Sequence, residues 1–203
     1  DLSKIEAGKI DLRLQPVQFP QLIEDLFVTV RPLADQYGSP LALQHDGEPF
    51  KVISDPRRVR QILLNLLSNA IKFGRGKPIQ VCSRHMPDGG AVIEVRDEGE
   101  GIGPGDLEKI FDEFVQLGKT QLTEGTGLGL PISRRLAEML DGALEVESEL
   151  GVGSTFRLRL PADADAPSAR ASRGADASGT PRATPTEPPG GRPRESPSSP
   201  ATR

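Results

Sequence analysis

Within the leucine-rich run QILLNLLSNAIKF (61–73), Asn65, Asn69 and Lys72 recur at helical spacing, so two carboxamides and an ammonium share one stripe. Each amide left dry and unpaired would cost about 1–3 kcal/mol, so something polar should meet them. An amide oxygen is a hard ligand for Mg2+, which keeps several waters and shares its other positions with substrate phosphates; an ammonium adds charge to such phosphates. The stripe fits a solvated polar face equally well. Two glycine-bearing segments add to the chemistry. DEGEGIG (97–103) offers the Asp97 carboxylate followed by glycines that let backbone approach a ligand closely, although alone it also suits a simple turn. In EGTGLGLPISRR (124–135) a glycine run opens a helix, and free N–H groups at the positive end of a helix dipole attract phosphates.

The elements that must hold these groups are legible in the pattern. IDLRLQPV (10–17) alternates as a half-buried strand, and PQLIEDLFVTVRPLADQYG (20–38) carries a helical stripe of Leu22, Leu26, Val30 and Leu33. LALQH (41–45) and KVIS (51–54) are two short strands separated by the turn-forming DGEP. Asp55 followed by Pro56 marks a helix start, which sets a second helix from Pro56 to Phe73, with Gly74 as its stop. In that helix Val59, Leu63, Leu66, Leu67 and Ala70 face a sheet. IQVCSR (79–84) and AVIEVRD (91–97) form one hairpin, ALEVES (143–148) and GSTFRLRL (153–160) another, and LGLPISRRLAEML (128–140) is the third long helix. Between residues 98 and 126 patterning weakens, apart from a short helix around 106–111, and a long loop inside a domain is usually functional or disordered. This order predicts an α/β (α+β) two-layer sandwich with a mixed, mostly antiparallel sheet, rather than a doubly wound fold.

Composition bounds the function. The chain has 203 residues and a net charge of −4, which gives no general attraction to nucleic acid. Cys82 is the single cysteine, which excludes an internal disulfide and suits a small residue within a strand. No run approaches the length of a membrane span. After Leu160 no aliphatic or aromatic side chain larger than alanine and proline occurs, so residues 162–203 form an expected disordered Pro/Ser/Ala/Arg-rich tail, with an inert linker as its simplest role. DLSKIEAGK at the start has the character of a helix whose beginning lies upstream, which marks the chain as a fragment. A P-loop is rejected because no lysine follows these glycines in register, and a dinucleotide fingerprint because no strand precedes Gly125.

Taken in order, NLLSNAIKF, DEGEGI, IFDEFVQ (110–116), GTGLGL and the closing GALEVESELGVGSTFRLRLP resemble the N, G1, F and G2 boxes of the ATP-binding catalytic domain of sensor histidine kinases, over residues 10–161. These domains belong to the Bergerat-fold ATPases, with gyrase, heat-shock protein 90 and MutL; the resemblance implies three helices covering one face of the sheet. It implies that Asn69 ligates Mg2+ on the ATP phosphates, that Asn65 supports it, that Lys72 lies near the phosphates and that Phe73 flanks the adenine. Asp97 would accept a hydrogen bond from the adenine amino group, helped by Gly99 and Gly101. Gly125, Thr126, Gly127, Leu128 and Gly129 would close around the phosphates. Phe111 and Phe114 would anchor a mobile lid that includes Lys119.

The resemblance also separates transfer from hydrolysis. Hydrolysing relatives carry a water-activating glutamate where this chain has Asn65, and an amide cannot take that proton. The implied activity is therefore that of a protein histidine kinase in a two-component system, acting on a histidine of an upstream dimerisation and phosphotransfer hairpin that residues 1–9 would end. A response-regulator receiver domain and a homodimeric parent are the implied partners. The implied location is cytoplasmic, with membrane anchoring of the parent left open. An ATP-hydrolysing clamp or a non-catalytic nucleotide-binding module are the alternatives. Glu98 and Glu100 stand where Thr and an apolar residue are frequent, which brings negative charge near the nucleotide. Glu124, Gly74 and Pro131 also depart from the pattern without removing a motif residue. His45 and His85 sit at strand ends without the acidic and Arg-Thr-Pro context of the family's acceptor, so this chain should not phosphorylate itself.

Overall fold

Asp55 and Pro56 start the central helix through two local devices. The Asp55 carboxylate accepts the N–H groups of Arg57 and Arg58 at 2.9 and 3.3 Å, and proline takes the first turn, where its missing N–H costs nothing. The computed structural model describes residues 11–46, 49–115 and 126–162, all within the compact unit Asp1–Pro167. The elements are β1 (Gln15–Gln18), α1 (Phe19–Tyr37), β2 (Leu41–Asp46), β3 (Lys51–Ser54), α2 (Pro56–Phe73), β4 (Ile79–His85), β5 (Ala91–Asp97), a single 3-10 turn (Lys109–Phe111), α3 (Gly129–Met139), β6 (Ala143–Glu149) and β7 (Gly153–Leu160). The expected helix stub 1–9 and the tail beyond residue 162 lie outside the described residues.

Five strands form one sheet in the order β2-β4-β5-β7-β6; β2 runs parallel to β4 and every other pair is antiparallel. A parallel pair needs a long crossover, and α2 lies within the one that joins β2 to β4. All three helices pack on one face, so this is the expected two-layer sandwich. Val59, Leu63, Leu66, Leu67 and Ala70 are buried as the stripe predicts, and Ile62 and Ile71 join them. On α1 the buried row is Leu22, Ile23, Leu26, Phe27, Val30 and Ala34, while Leu33 is only partly buried. Pro32 sits inside α1, where it removes an amide partner from the carbonyl of Val28, a residue 73% exposed.

The opposite sheet face is a charged lattice. Arg157 pairs with Glu94 on β5 and with Glu147 on β6, Arg84 shares Glu94, and Arg159 meets Glu145 at 3.0 Å. Alternation along β5 and β7 thus sends apolar side chains to the helices and ions to water.

β3 pairs with β1 in a separate two-stranded ribbon, and β2 joins the five-stranded sheet. Two local expectations change. The strand expected from residue 10 begins only at Gln15, because the Arg13 N–H is committed to the Asp55 carboxylate at 2.8 Å rather than to a strand neighbour. The short helix near 106–111 is reduced to the 3-10 turn Lys109–Phe111.

Asp55, 2% exposed, therefore serves two backbone segments at once. Replacing it with alanine removes a cap worth about 0.5–2 kcal/mol and strands the Arg13 donor at a further cost of about 1–3 kcal/mol. Asp55→Ala is expected to lower the urea midpoint by more than an ordinary cap mutation, with the slope of the transition unchanged.

Candidate functional site

The C-terminal end of α2 and the segment after β5 are joined backbone to backbone. The Phe73 carbonyl accepts the Glu100 N–H at 3.4 Å. Gly99 lies so close beneath that carbonyl that an added Cβ would sit 2.7 Å from its carbon and overlap its oxygen. On the far side, the Gly151 N–H donates to the Glu100 carbonyl at 2.6 Å, and the Ile102 N–H donates to Ser148 Oγ at 2.7 Å. Gly101 adopts φ +67°, and a Cβ there would overlap the Glu149 carbonyl. The Asp97–Ile102 segment is thus clamped between α2 and the β6–β7 turn, and only glycine fits at 99 and 101.

Asp97 ends β5 opposite Ser154 and is 5% exposed. Its Oδ1 accepts the Gly99 N–H at 2.8 Å. Burial pushes its carboxyl above the ordinary 3.8; hydrogen bonds from the backbone of Gly99 and Ser154 oppose the rise, and the negative Glu100 adds to it. A buried carboxylate with a raised pKa and spare acceptor capacity is suited to binding a donor from a ligand.

Glu98 is exposed, and the Glu100 carboxylate meets the Arg75 guanidinium at 2.7 Å. Arg75 reaches it from a strained backbone, φ +55°, just past the Gly74 stop. Gly74 stays right-handed at φ −70°, pressed against the Ala70 carbonyl, and the reversal falls on the next two residues. The left-handed conformation costs a non-glycine residue roughly 1–2 kcal/mol.

Asn65, Asn69, Lys72 and Phe73 are all half-buried along one side of α2. Among the described residues the Asn69 amide has no hydrogen-bond partner, whereas Asn65 Nδ2 donates to Ser133 Oγ on α3 at 3.0 Å. Gly129, the first residue of α3, packs against the Asn65 amide, so the start of α3 lies against the asparagine stripe. No side chain caps α3; Thr126 Oγ1 instead accepts the Leu128 N–H at 3.4 Å, and Pro131 falls within the first turn, where it is tolerated. Gly127 lies across from Phe114, whose N–H donates to the Gly127 carbonyl at 3.2 Å. Gly125, Glu124 and Lys119 lie outside the described residues.

The two phenylalanines expected to anchor the intervening segment differ. Phe111 packs on the core with the Arg134 guanidinium 4.8 Å from its ring centre, but Phe114 is 70% exposed and holds through its backbone, at φ +63°. Pattern reading did not single out Arg75, Ser133 or Ser148. Ser133 carried a signal, a serine one turn after Gly129 on the face that Leu136 and Ala137 bury, but without a partner in view it resembled any small polar residue.

The fold is a three-helix sandwich on a mixed, mostly antiparallel five-stranded sheet. The chain belongs to the histidine kinase-, DNA gyrase B-, and HSP90-like ATPase family, whose match spans residues 54–164. Within it, the chain is 36% identical over 170 residues to the autoinducer 2 sensor kinase/phosphatase LuxQ of Vibrio parahaemolyticus, covering 79% of this chain and 20% of that protein. It is 39% identical over 166 residues to the aerobic respiration control sensor protein ArcB of Escherichia coli, covering 80% of this chain and 21% of that one. Full-length ShkA, solved in complex with AMPPNP, superposes with a TM-score of 0.71 at 33% identity, over 78% of this chain and 33% of that chain. The chain thus spans about a fifth of the length of the two curated relatives.

Proposed function

We propose that this chain is the ATP- and Mg-binding catalytic module of a two-component sensor histidine kinase, and that it presents the γ-phosphate to a histidine on an upstream dimerisation and phosphotransfer hairpin. The observation that carries the reading is the backbone junction between Phe73 on α2 and Gly99–Glu100 after β5. It ties α2, which carries the amide and ammonium stripe, to the segment that follows Asp97, and the Gly129–Asn65 contact sets the start of α3 against the same helix; this grouping supports an elongated nucleotide with chemically unlike ends.

In this assignment Asp97 accepts from the adenine amino group, Gly99 and Gly101 let the backbone lie flat beside the base, and Phe73 flanks it. Thr126, Gly127, Leu128 and Gly129, with Gly125, surround the phosphates, and Lys72 adds charge. The donor set fits a magnesium ion: Asn69 Oδ1 is a hard oxygen, and among the described residues no group of three or more His, Cys, Asp and Glu side chains could hold a metal without the nucleotide's own oxygens. When bound, magnesium supplies charge neutralisation at the phosphates, and Asn69 is the residue that would hold it.

Transfer is in line: an imidazole nitrogen forms the bond to the γ-phosphorus as the bond to the bridging oxygen breaks and ADP departs. Catalysis then rests on positioning and charge. Asn65, with its amide spent on Ser133, offers no base to activate water, so the ATP-hydrolysing clamp is not favoured. Both histidines of the chain are engaged locally: His45 Nδ1 lies 2.7 Å from Ser83 Oγ, and the His85 ring stacks on Phe50 at 5.2 Å. A receiver domain would accept the phosphoryl group next, in a homodimeric parent. Among the described residues no helix is long and apolar enough to cross a membrane. Cytoplasmic location of this module, and any membrane anchor of the parent, belong to the same proposal.

The test is reconstitution. The chain mixed with its upstream hairpin, magnesium and radiolabelled ATP should transfer label to the hairpin in acid-labile, alkali-stable form, while the chain alone retains none. Steady release of inorganic phosphate without a labelled hairpin would instead establish hydrolysis.

A further inference from the structure

The Asn65 amide is held from two sides by one turn of α3. Its Nδ2 donates to Ser133 Oγ at 3.0 Å, and Ser133 is only 2% exposed. One turn earlier, a Cβ on Gly129 would sit 2.9 Å from Asn65 Cγ and overlap its Oδ1. The φ of Gly129 is not in the left-handed region, so the glycine is required here by space and not by backbone conformation. The amide therefore fills the place of the absent methyl and reaches along the helix to the hydroxyl.

We infer that Ser133 is a positioning residue: through Asn65 it fixes the register of α3 against α2, and so sets where the Thr126–Leu128 backbone stands relative to Asn69. This rests on the nucleotide-binding reading of the site. Besides Ser133, the buried residues of α3 are the apolar Leu136 and Ala137. Apolar surfaces tolerate small slips, whereas a half-buried amide with a single polar partner loses a hydrogen bond on any slip. Asn69 lies one turn along α2 from Asn65, and Gly129 directly follows the phosphate-facing segment. A shift of α3 would thus displace the phosphate end of the site while leaving Asp97, held by β5 and the β6–β7 turn, where it is.

That asymmetry makes the test specific. Binding of a non-hydrolysable ATP analogue and of adenosine is measured for the unmutated chain, Ser133→Ala, Ser133→Thr, Asn65→Ala and the double variant Asn65→Ala/Ser133→Ala. Ser133→Ala is expected to weaken the ATP analogue about tenfold, in line with the loss of one half-buried hydrogen bond, and to leave adenosine unchanged. Ser133→Thr, which keeps the hydroxyl, restores affinity, and the double variant is no weaker than Asn65→Ala. Equal losses for both ligands, unchanged affinity in Ser133→Ala, or additive losses in the double variant would overturn the positioning role. If Ser133→Ala does not fold, Ser133→Cys, which keeps the side-chain size but replaces the hydroxyl with a far weaker hydrogen-bonding group, makes the same measurement, with the same expected split and the same contrary results. An unmutated chain that binds neither ligand would instead refute the nucleotide-site reading itself.

Discussion

Asp97→Asn is expected to lower affinity for an ATP analogue by about 10- to 150-fold, the equivalent of the roughly 1.5–3 kcal/mol of a hydrogen bond to a charged group. The substitution is nearly isosteric, and an asparagine oxygen can still accept the Gly99 N–H that Asp97 holds at 2.8 Å. What is lost is the charge and the acceptor capacity presented to an incoming amino group. A fluorescent-analogue titration reads the effect, and affinity equal to that of the parent chain would refute the adenine assignment.

The folded protein should not suffer with the binding. The folded-state carboxyl of Asp97 is raised above 3.8, chiefly by burial. A raised acid contributes stability that is fully present below its unfolded value and is lost as pH rises through its folded value, so at neutrality the buried charge is a cost. Asp97→Asn is accordingly expected to be at least as resistant to urea as the parent at pH 7, with that advantage vanishing as pH approaches 3.8. Over the same interval the parent should progressively lose nucleotide affinity, because protonation removes the charged acceptor. A variant clearly less stable than the parent at pH 7 would show that the carboxylate serves the fold and not a ligand.

Gly99→Ala is expected to act on both properties together. The new methyl would stand 2.7 Å from the Phe73 carbonyl carbon and 2.8 Å from Asp97 Oδ1, and neither the helix end nor the strand end can retreat without breaking the Glu100-to-Phe73 hydrogen bond. Overpacking a tight site costs about 1–3 kcal/mol and occasionally more, a large share of the roughly 5–15 kcal/mol that holds a domain folded. The unfolding free energy from urea titration should fall by that amount, and analogue binding should be lost beyond what the unfolded fraction explains. Retained affinity would mean that the α2 and β5 ends are not joined as one site.

The strand and helix repertoire was legible because each element has its own period and punctuation. The start of α2 follows from Asp55-Pro56 and β5 from a β-branched apolar run that ends at Asp97, and both were readable to the residue. Glycine-rich segments 97–103 and 125–129 announced themselves by composition, and the ordered boxes announced the family. Pairing was not legible: nothing local in KVIS says that its partner is the ribbon strand β1 and not β2, because strand partners are chosen by distant residues competing for the same backbone groups.

Side-chain fate at the site was decided the same way. The sequence by itself determined that Asn65 and Asn69 share a helix face, since the helical period alone dictates it. Only the tertiary structure decided that one amide is spent on Ser133 while the other has no hydrogen-bond partner among the described residues, and that Arg75 meets the charge of Glu100. A period along one chain says which way a group points, but a hydrogen bond or an ion pair needs two groups within about 3 Å of each other, and that proximity exists only once separate segments have packed.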